Sequence, residues 1–384
     1  MRFDDVDVTR LRERRTVKWT LYPPHVLAAW VAEMDFVTAP VVRDAILDAV
    51  GREDFGYVVA DLSELTTACA AFLDAEHGWS VPPTRIFPVA DVLTGIAGAL
   101  DAFVEPGAAV VVPTPAYPPF FEVVELTGRP AVHAPMTTED GLDGLDLDAI
   151  AAALQGGARA VLLCNPHNPT GRVFTRAELV ALAEIIDHHG ARVVADEVHA
   201  PLVYSPNVHT PYATVSEAAA SHTVTVTSAS KAFNIAGLKC AQVITNNHDD
   251  AARWRTLGVF EVAGPTPIGI AASTAAYGAG REWLHDLVQY LDANRRRLAE
   301  LVEHELPGVL WQMPQATFLS WLDCGALELG DPAQFFLDQA HVALSDGPPF
   351  GAYCEQRVRL NFATSRAMLD RIVTEMGAAL RARQ

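Results

Sequence analysis

The sequence predicts an α/β protein, with a doubly wound, mostly parallel sheet in a large domain and a smaller α+β domain beside it. From about residue 85 to 245, short β-branched apolar runs alternate with helix-length amphipathic segments, which is the pattern of such a sheet. The chain has 384 residues, half of them apolar, and is longer than one hydrophobic core usually supports. After residue 265 the segments become longer and helical, which indicates a second lobe.

The elements of the large domain follow one another along this central region. The predicted strands are 85–89, 109–113, 159–164, 192–196, 223–227 and 240–245. The predicted helices between them are 92–104, 145–155 and 175–189, the last with Thr175 as its cap. Right-handed crossovers place the carboxyl ends of the strands, and any ligand crevice, on one side of the sheet.

The rest of the chain predicts the smaller domain. Helical stretches at 267–279 and 281–304 precede short strands around 309–323 and 357–362. The first 45 residues, which include three prolines, match neither the sheet nor a clean helix, and we assign them to this domain. The predicted domains are therefore 46–285 for the large one, and 1–45 with 286–384 for the small one.

Composition excludes several classes of partner. The 28 basic and 47 acidic residues give a net charge of −19, which opposes contact with nucleic acid or an anionic membrane. No apolar run is long enough to span a bilayer and the first residues are too charged for a signal peptide, so we expect a cytoplasmic protein. The five cysteines lack metal-ligand spacing, which predicts buried free thiols and no metal site. Small molecules and other protein chains are the expected partners.

Lysine is scarce in this sequence. Arginine supplies 25 of the 28 positive charges, and the lysines are Lys18, Lys231 and Lys239. A lysine amine can lose its proton and form an imine, whereas a guanidinium cannot. Lys231 and Lys239, eight residues apart, therefore indicate sites that need an amine. The alternative is that lysine is present at these two positions by chance.

Polar segments follow three of the predicted strands. Ser228-Ala-Ser-Lys231 comes after strand 223–227, and a turn-rich stretch containing Asn168 comes after strand 159–164. Asp196 ends strand 192–196 and would need a cationic or hydrogen-bonding partner if buried. Because the carboxyl ends of parallel strands meet at one edge, these side chains are expected to share a crevice.

Together these segments resemble the fold-type I pyridoxal 5'-phosphate (PLP) enzymes, the aspartate aminotransferase superfamily. Within it, the sequence is most similar to the MalY/PatB group of cystathionine and cysteine-conjugate β-lyases. Four further stretches carry the resemblance, at 30–36, 55–57, 115–121 and 358–362. It runs from about residue 16 to 366 and implies the fold-type I fold with PLP as cofactor.

The resemblance also assigns roles around the cofactor ring. It implies that Lys231 carries PLP as a Schiff base and then removes the substrate's Cα proton, and that Asp196 pairs with the pyridine nitrogen. Asn168 would donate a hydrogen bond to the ring's 3'-oxygen, and Tyr117 would stack on the ring. His199 stands where aminotransferases of the superfamily usually carry tyrosine, which favours a lyase, with an ordinary packed histidine as the alternative.

The phosphate needs donors and positive charge. The expected sources are Ser228, Lys239 and the backbone amides of Val92 and Leu93 at a helix start. Asp91 falls where the lyase group commonly has glycine. An acid there is unfavourable beside phosphate unless its carboxylate turns back to cap the helix.

The remaining assignments concern the substrate and a second subunit. Arg359 resembles the arginine that holds the substrate's α-carboxylate, although Arg357 lies on the same strand and spacing alone does not separate the two. Trp30 and Ala32 are the other expected substrate contacts. Tyr57 would reach the phosphate of a neighbouring subunit, which implies a homodimer with shared active sites.

Three functions follow as hypotheses. The first is a β-lyase that cleaves cystathionine or another L-cysteine thioether to a thiol, pyruvate and ammonia. The second is an aminotransferase, which would need the same residues. The third is a regulator that keeps the fold as a sensor, but the acidic chain offers no basic DNA-binding helix.

Overall fold

The computed structural model describes residues 3–139, 142–258 and 262–383. The described helices are Val8–Glu13, Val17–Thr20, Pro40–Gly51, Ser63–His77, Val92–Phe103, Pro119–Leu126, Leu147–Gln155, Arg176–His189, Glu217–His222, His248–Trp254, Pro267–Ala279, Arg281–Glu305, Pro332–Ala340 and Arg366–Arg383. The described strands are Leu27–Ala28, Ile86–Val89, Val110–Thr114, Ala131–Pro135, Thr137–Glu139, Leu142–Gly144, Ala160–Cys164, Arg192–Asp196, Thr223–Thr227, Ala241–Thr245, Leu310–Trp311, Leu319–Asp323, Val342–Ala343, Ser345–Asp346 and Arg357–Asn361.

A seven-stranded sheet forms the centre of the molecule. Ala241–Thr245 runs antiparallel to both of its neighbours, and the other pairings are parallel. Across the sheet the order is Ile86–Val89, Ala241–Thr245, Thr223–Thr227, Arg192–Asp196, Ala160–Cys164, Val110–Thr114 and Ala131–Pro135. The predicted doubly wound, mostly parallel sheet is confirmed.

All six predicted strands of this sheet are present, each within one residue of its expected bounds. The sequence did not predict the seventh, Ala131–Pro135. It lies at the sheet edge, where most of its side chains are partly or fully exposed, and it ends in proline. Edge strands tolerate proline and need no continuous apolar run, so the pattern was too weak to recognise.

Alternate side chains of the buried strands pack on opposite faces of the sheet, as the two-residue period of a strand requires. Val110 and Val112 join one apolar cluster, with the helix Val92–Phe103. Val111 joins the other, with Leu147–Gln155 and Arg176–His189. The helix Arg176–His189 begins with a capping box at Thr175, as predicted.

The smaller sheet has four antiparallel strands, in the order Leu310–Trp311, Leu319–Asp323, Arg357–Asn361 and Ser345–Asp346. Beside it, the amino-terminal strand Leu27–Ala28 pairs in parallel with Val342–Ala343. The amino-terminal segment is thereby joined to the carboxyl-terminal part of the chain.

The expectation that the first 45 residues contain no clean helix is wrong. Val8–Glu13 is capped by Asp7, and Pro40–Gly51 begins with proline at its first position. Proline suits a helix start because its missing N–H has no helical partner there. Pro40–Gly51 packs on Pro267–Ala279, and Arg281–Glu305 runs through the expected boundary at 285. The domain limits stay a prediction, and residues 1, 2 and 384 of the predicted small domain lie outside the described residues.

The five cysteines are buried and free, as expected. Among the described residues, no helix combines the length and apolar character that crossing a membrane requires.

Candidate active site

A cavity of about 180 Å³ opens at the carboxyl ends of the central strands. The residues predicted for the site that line it are Ala32, Val92, Leu93, Tyr117, Asn168, Asp196, His199, Ser228, Lys231 and Lys239. The sequence did not single out the lining residues Phe120, Cys164, Val198, Ser230, Ala236 and Cys240. Of these, Ser230 directly precedes Lys231, and this adjacency is the only feature of the sequence that could have indicated a place in the site.

Lys231 follows the strand Thr223–Thr227 and points its amine into the cavity. Nζ donates a hydrogen bond to the carbonyl oxygen of Ala32 at 3.0 Å. Burial lowers the pKa of the amine to about 8, and the charge of Arg359 acts in the same direction. Lys231 can therefore give up and take up a proton near neutral pH.

Asp196 is the last residue of its strand and is 5% exposed. Oδ1 accepts a hydrogen bond from the backbone N–H of Val198 at 3.0 Å. Burial raises the pKa of this carboxyl to about 7. Of the two kinds of partner expected for a buried Asp196, the structure shows the hydrogen-bonding one, and the positive charge of Lys231 also acts on the carboxyl.

Arg359 reaches across from the smaller sheet to the central one. Its Nη1 donates to Oδ1 of Asn168 at 2.9 Å, and its Nη2 donates to the carbonyl oxygen of Trp30 at 3.2 Å. Its buried Nε has no hydrogen-bond partner among the described residues. Arg357 instead pairs with Asp323 at 3.1 Å, at a partly exposed edge. The structure therefore separates the two arginines and brings Arg359 to the site.

His199 and Tyr117 both line this cavity. Burial lowers the pKa of His199 well below its usual value, and the charges of Lys231 and Arg359 lower it further. The ring is thus neutral and lies edge-on to Phe318, with centroids 6.0 Å apart. Burial raises the pKa of Tyr117, so its hydroxyl stays protonated.

The helix Val92–Phe103 begins at the cavity, where Val92 and Leu93 contribute to the lining. The amides of Val92 and Leu93 have no partner inside the helix, because the first turn of any helix leaves its N–H groups free. Asp91 caps this helix: Oδ1 accepts from the Thr94 N–H at 2.8 Å. Its Oδ2 lies 2.7 Å from the Lys239 amine. The carboxylate does turn back to cap the helix, but it also engages the expected phosphate-binding lysine.

Ser228 also lines the cavity. Its hydroxyl donates to the carbonyl oxygen of Cys240 at 2.7 Å and accepts from the Ser230 N–H at 3.0 Å. The serine is therefore held in place by the backbone of the adjoining loop.

These features fit PLP. A buried carboxylate suits the pyridine nitrogen, an amine of lowered pKa suits the aldehyde carbon, and helix amides with a lysine suit the phosphate. Tyr57 is fully exposed and lies outside the cavity of its own chain.

A second cavity, of about 420 Å³, adjoins the first at Tyr117. Trp30 and Arg359 line it, together with Tyr22, Ser345 and Phe350. Phe350 lies against the Arg359 guanidinium, 5.0 Å from ring centroid to Cζ. The site therefore consists of two adjoining cavities that share Tyr117.

Residues 31–376 match the sequence profile described as aminotransferase class I and II. The chain belongs to the class I and II aminotransferase family. Within this family it is 39% identical to a cystathionine β-lyase of Corynebacterium glutamicum, over 99% of this chain and 100% of that relative. It is 35% identical to the cystathionine β-lyase PatB of Bacillus subtilis, over 92% of each. A solved PLP-bound C–S lyase from Staphylococcus hominis superposes with a TM-score of 0.92 at 27% identity, over 99% of both chains.

Proposed function

We infer that this chain is a PLP-dependent carbon–sulfur β-lyase that cleaves L-cystathionine or a related L-cysteine thioether. The observation that carries the inference is the meeting of the Lys231 amine, the Asp196 carboxylate and the Arg359 guanidinium around adjoining cavities. This chain is similar over its full length to a cystathionine β-lyase. The overall reaction consumes one water and yields a thiol, pyruvate and ammonia. With cystathionine the thiol is homocysteine.

When bound, PLP supplies an electron sink for the pair left behind as the Cα–H bond breaks. Asp196 would keep the pyridine nitrogen protonated, because a cation beside this buried carboxylate relieves the cost of its charge. Asn168 would donate to the 3'-oxygen and Tyr117 would cover the ring face. Ser228, Lys239 and the amides of Val92 and Leu93 would hold the phosphate.

Lys231 would attach the cofactor and would then act as the base. The free amine donates to the Ala32 carbonyl oxygen at 3.0 Å, and burial lowers its pKa to about 8. It therefore takes the Cα proton at Nζ near neutral pH. The Cβ–S bond would break with its electron pair on sulfur, and the proton held at Nζ would pass to the leaving thiolate, which restores the free amine.

Arg359 orients the substrate by its α-carboxylate. Its Nη atoms already bond to Asn168, Trp30 and Ser345, which fixes the plane of the guanidinium, while Nε keeps an unused proton. A preorganised guanidinium binds a carboxylate with little loss of side-chain freedom. The second cavity beside it has room for the part of the thioether beyond sulfur.

The test is product analysis with purified protein and cystathionine, with and without an added 2-oxo acid. The lyase releases thiol and pyruvate in equal amounts and does not depend on the oxo acid. Turnover that requires the oxo acid and returns its amino acid, without thiol, would identify an aminotransferase. Lys231→Ala should lack both turnover and the visible absorption of the bound cofactor. Borohydride should attach the cofactor to Lys231 in the normal protein, and attachment at Lys18 or Lys239 contradicts the assignment.

We also propose that two copies of this chain form a homodimer in which Tyr57 reaches the partner's phosphate site. One short segment exposes three large apolar side chains, which is unusual. Their relative exposures are 66% for Phe55, 104% for Tyr57 and 67% for Val59. Tyr57 and Val59 border an open groove beside the helix Pro267–Ala279. A second copy of the chain is the occupant that this surface suits.

A further inference from the structure

One irregular segment, residues 30–34, runs between the two groups that handle the substrate. We name it the active-site strap. Each of its five carbonyl oxygens accepts a hydrogen bond from a side chain. The donors are Arg359 and Ser345 to Trp30, Asn361 to Val31, Lys231 to Ala32, Lys18 and Asn361 to Glu33, and Asn234 to Met34. The strap thus depends on side chains, because it belongs to neither a helix nor a strand.

The strap touches both Lys231 and Arg359. Ala32 receives the Lys231 amine at 3.0 Å, and Trp30, two residues earlier, receives the Arg359 guanidinium at 3.2 Å. Any displacement of this backbone therefore moves the resting positions of the base and of the carboxylate-binding group together.

Lys18 holds the strap from outside the two cavities. Its Nζ lies 2.9 Å from the Glu33 carbonyl oxygen and 2.9 Å from Oδ1 of Asp35, and the side chains of Lys18 and Asp35 are each 1% exposed. The Lys18 carbonyl oxygen accepts from the indole Nε1 of Trp30 at 3.1 Å. Lys18 is thus bonded to both ends of the strap.

A buried ion pair of this kind contributes little net stability, because removing two charges from water offsets most of their attraction. What it does provide is geometry. The compact ammonium has three donors, and here they serve a carbonyl of the strap and a carboxylate that also accepts from Trp19 at 2.7 Å. An arginine-rich chain uses one of its three lysines at this position.

We propose that Lys18, through its ion pair with Asp35, is a positioning residue that sets the active-site strap against Lys231 and Arg359. The inference rests on the proposed function only in that the loaded enzyme binds an α-amino acid. Lys18 touches neither cavity, so its effect on the reaction passes through the backbone that it holds.

The experiment separates positioning from stability. The variants are Lys18→Met, which leaves Asp35 without its cation, and Lys18→Met with Asp35→Asn, which removes both charges and keeps an acceptor for Trp19. Arg129→Met is the matched control, because Arg129 is the buried cation of an ion pair with Asp101 and lines neither cavity. For each holoenzyme we would measure Tm, kcat and KM with cystathionine, and L-alanine binding from the change in visible absorption.

Lys18→Met should lower both Tm and kcat/KM, the latter by about 100-fold, since a displacement on the order of 1 Å costs that much. The double variant should recover the Tm of the unchanged protein, because it buries no unpaired charge. Its L-alanine binding should stay weak and its kcat/KM should stay low, as in Lys18→Met. Arg129→Met should have a lower Tm than the unchanged protein but should bind L-alanine with normal affinity. Should the single variant not fold, the double variant carries the test.

Two results would overturn the inference. The first is a double variant that regains normal L-alanine binding together with its Tm, since the pair would then act on stability alone. The second is weakened L-alanine binding in Arg129→Met, since any loss of stability would then have the same effect. L-alanine has no leaving group, so this readout survives if the enzyme proves to be an aminotransferase. Absence of thiol release in the unchanged protein would instead refute the proposed lyase activity.

Discussion

At the scale of single residues, two aspartates that line the cavity, Asp91 and Asp196, would interact with the charges of the cofactor. Asp196 is buried, with a pKa raised to about 7. Asp91 is half-buried: burial raises its pKa, but the hydrogen bonds from Lys239 and Thr94 outweigh burial and leave it below the usual value. Cofactor binding should therefore relieve the first charge and compete with the second.

We expect Asp196 to make the cofactor-free protein less stable as pH rises. Its pKa is 3.8 in an unfolded chain and about 7 when folded, so its stabilising contribution is complete below about pH 4 and is lost as pH passes about 7. Asp196→Asn should remove this part of the pH dependence. The fall in Tm from low to high pH should then be smaller than in the unchanged protein by a few degrees. Thermal melts of both cofactor-free proteins between pH 4 and 8 measure it. Parallel curves would mean that Asp196 is not held protonated.

Replacing Asp91 with asparagine should tighten PLP binding. Asparagine still offers an oxygen to the Thr94 N–H, but it releases Lys239 and removes a negative charge beside the phosphate. At roughly 1 kcal/mol for a charge pair in water, the dissociation constant should fall about fivefold, and binding should weaken more steeply with salt because Lys239 is no longer neutralised. Fluorescence titration of the cofactor-free protein measures it.

Asp146→Asn is the matched control, because Asp146 caps the helix Leu147–Gln155 in the same way and lines neither cavity. It should leave PLP affinity unchanged. Weaker binding in Asp91→Asn would show that the carboxylate orients Lys239 for the phosphate instead of competing with it.

At the scale of elements, the turn after Ala160–Cys164 determines where Asn168 lies. The Asn165 N–H donates to the Asp196 carbonyl oxygen at 3.0 Å, and the His167 N–H donates to that of Arg172 at 2.8 Å. The turn closes at Gly171, whose φ is +71°. A Cβ there would lie 2.4 Å from Cβ of Pro314, so the loop between Leu310–Trp311 and Leu319–Asp323 packs directly on this glycine.

Gly171→Ala should therefore cost more stability than a left-handed φ alone. Gly190 is the matched control: its φ is +59° and no atom lies within 4 Å of a Cβ placed there. We expect about 1 kcal/mol from backbone conformation for Gly190→Ala, and about 1 to 3 kcal/mol more for Gly171→Ala from overpacking. Urea unfolding of the two variants gives the comparison. Equal losses would mean that the Pro314 loop yields to the added methyl group.

At the scale of the whole molecule, the site is assembled from distant parts of the chain. The bond from Arg359 to Asn168 joins residues 191 apart in sequence, and the bond from Lys231 to Ala32 joins residues 199 apart. Lys231, Asp196 and Asn168 come from the central sheet, whereas Arg359 comes from the smaller one. Movement of one sheet relative to the other would separate the base from the carboxylate-binding group.

The proposed dimer predicts that two inactive chains restore one active site. Lys231→Ala and Tyr57→Ala chains are refolded together, and a mixed dimer should hold one site with both residues intact. Activity should exceed the sum of the two parents, up to about one quarter of the unchanged protein if chains pair at random and Tyr57 acts only across the interface. Native mass spectrometry establishes that mixed dimers form. If they form without any gain, Tyr57 acts within its own chain or not at all.

The sequence by itself determined the sheet and most of the cavity lining. Apolar β-branched runs of about five residues, separated by helical patterns, predicted six of the seven central strands to within one residue. Because parallel strands share one carboxyl-terminal edge, this also brought Lys231, Asp196 and Asn168 together. The resemblance at short motifs supplied the cofactor and the reaction. These are local signals, carried by residues close together in the chain.

Only the tertiary structure decided how distant segments meet. Spacing could not separate Arg359 from Arg357, since the difference lies in what each side chain faces, Asn168 or Asp323. Lys18 carried a signal as a rare lysine, but its partners Glu33 and Asp35 became visible only in the folded chain. The pairing of Asp91 with Lys239 spans 148 positions in sequence. Such contacts depend on the packing of whole elements and leave no period or motif in the sequence, so residue patterns could not reveal them.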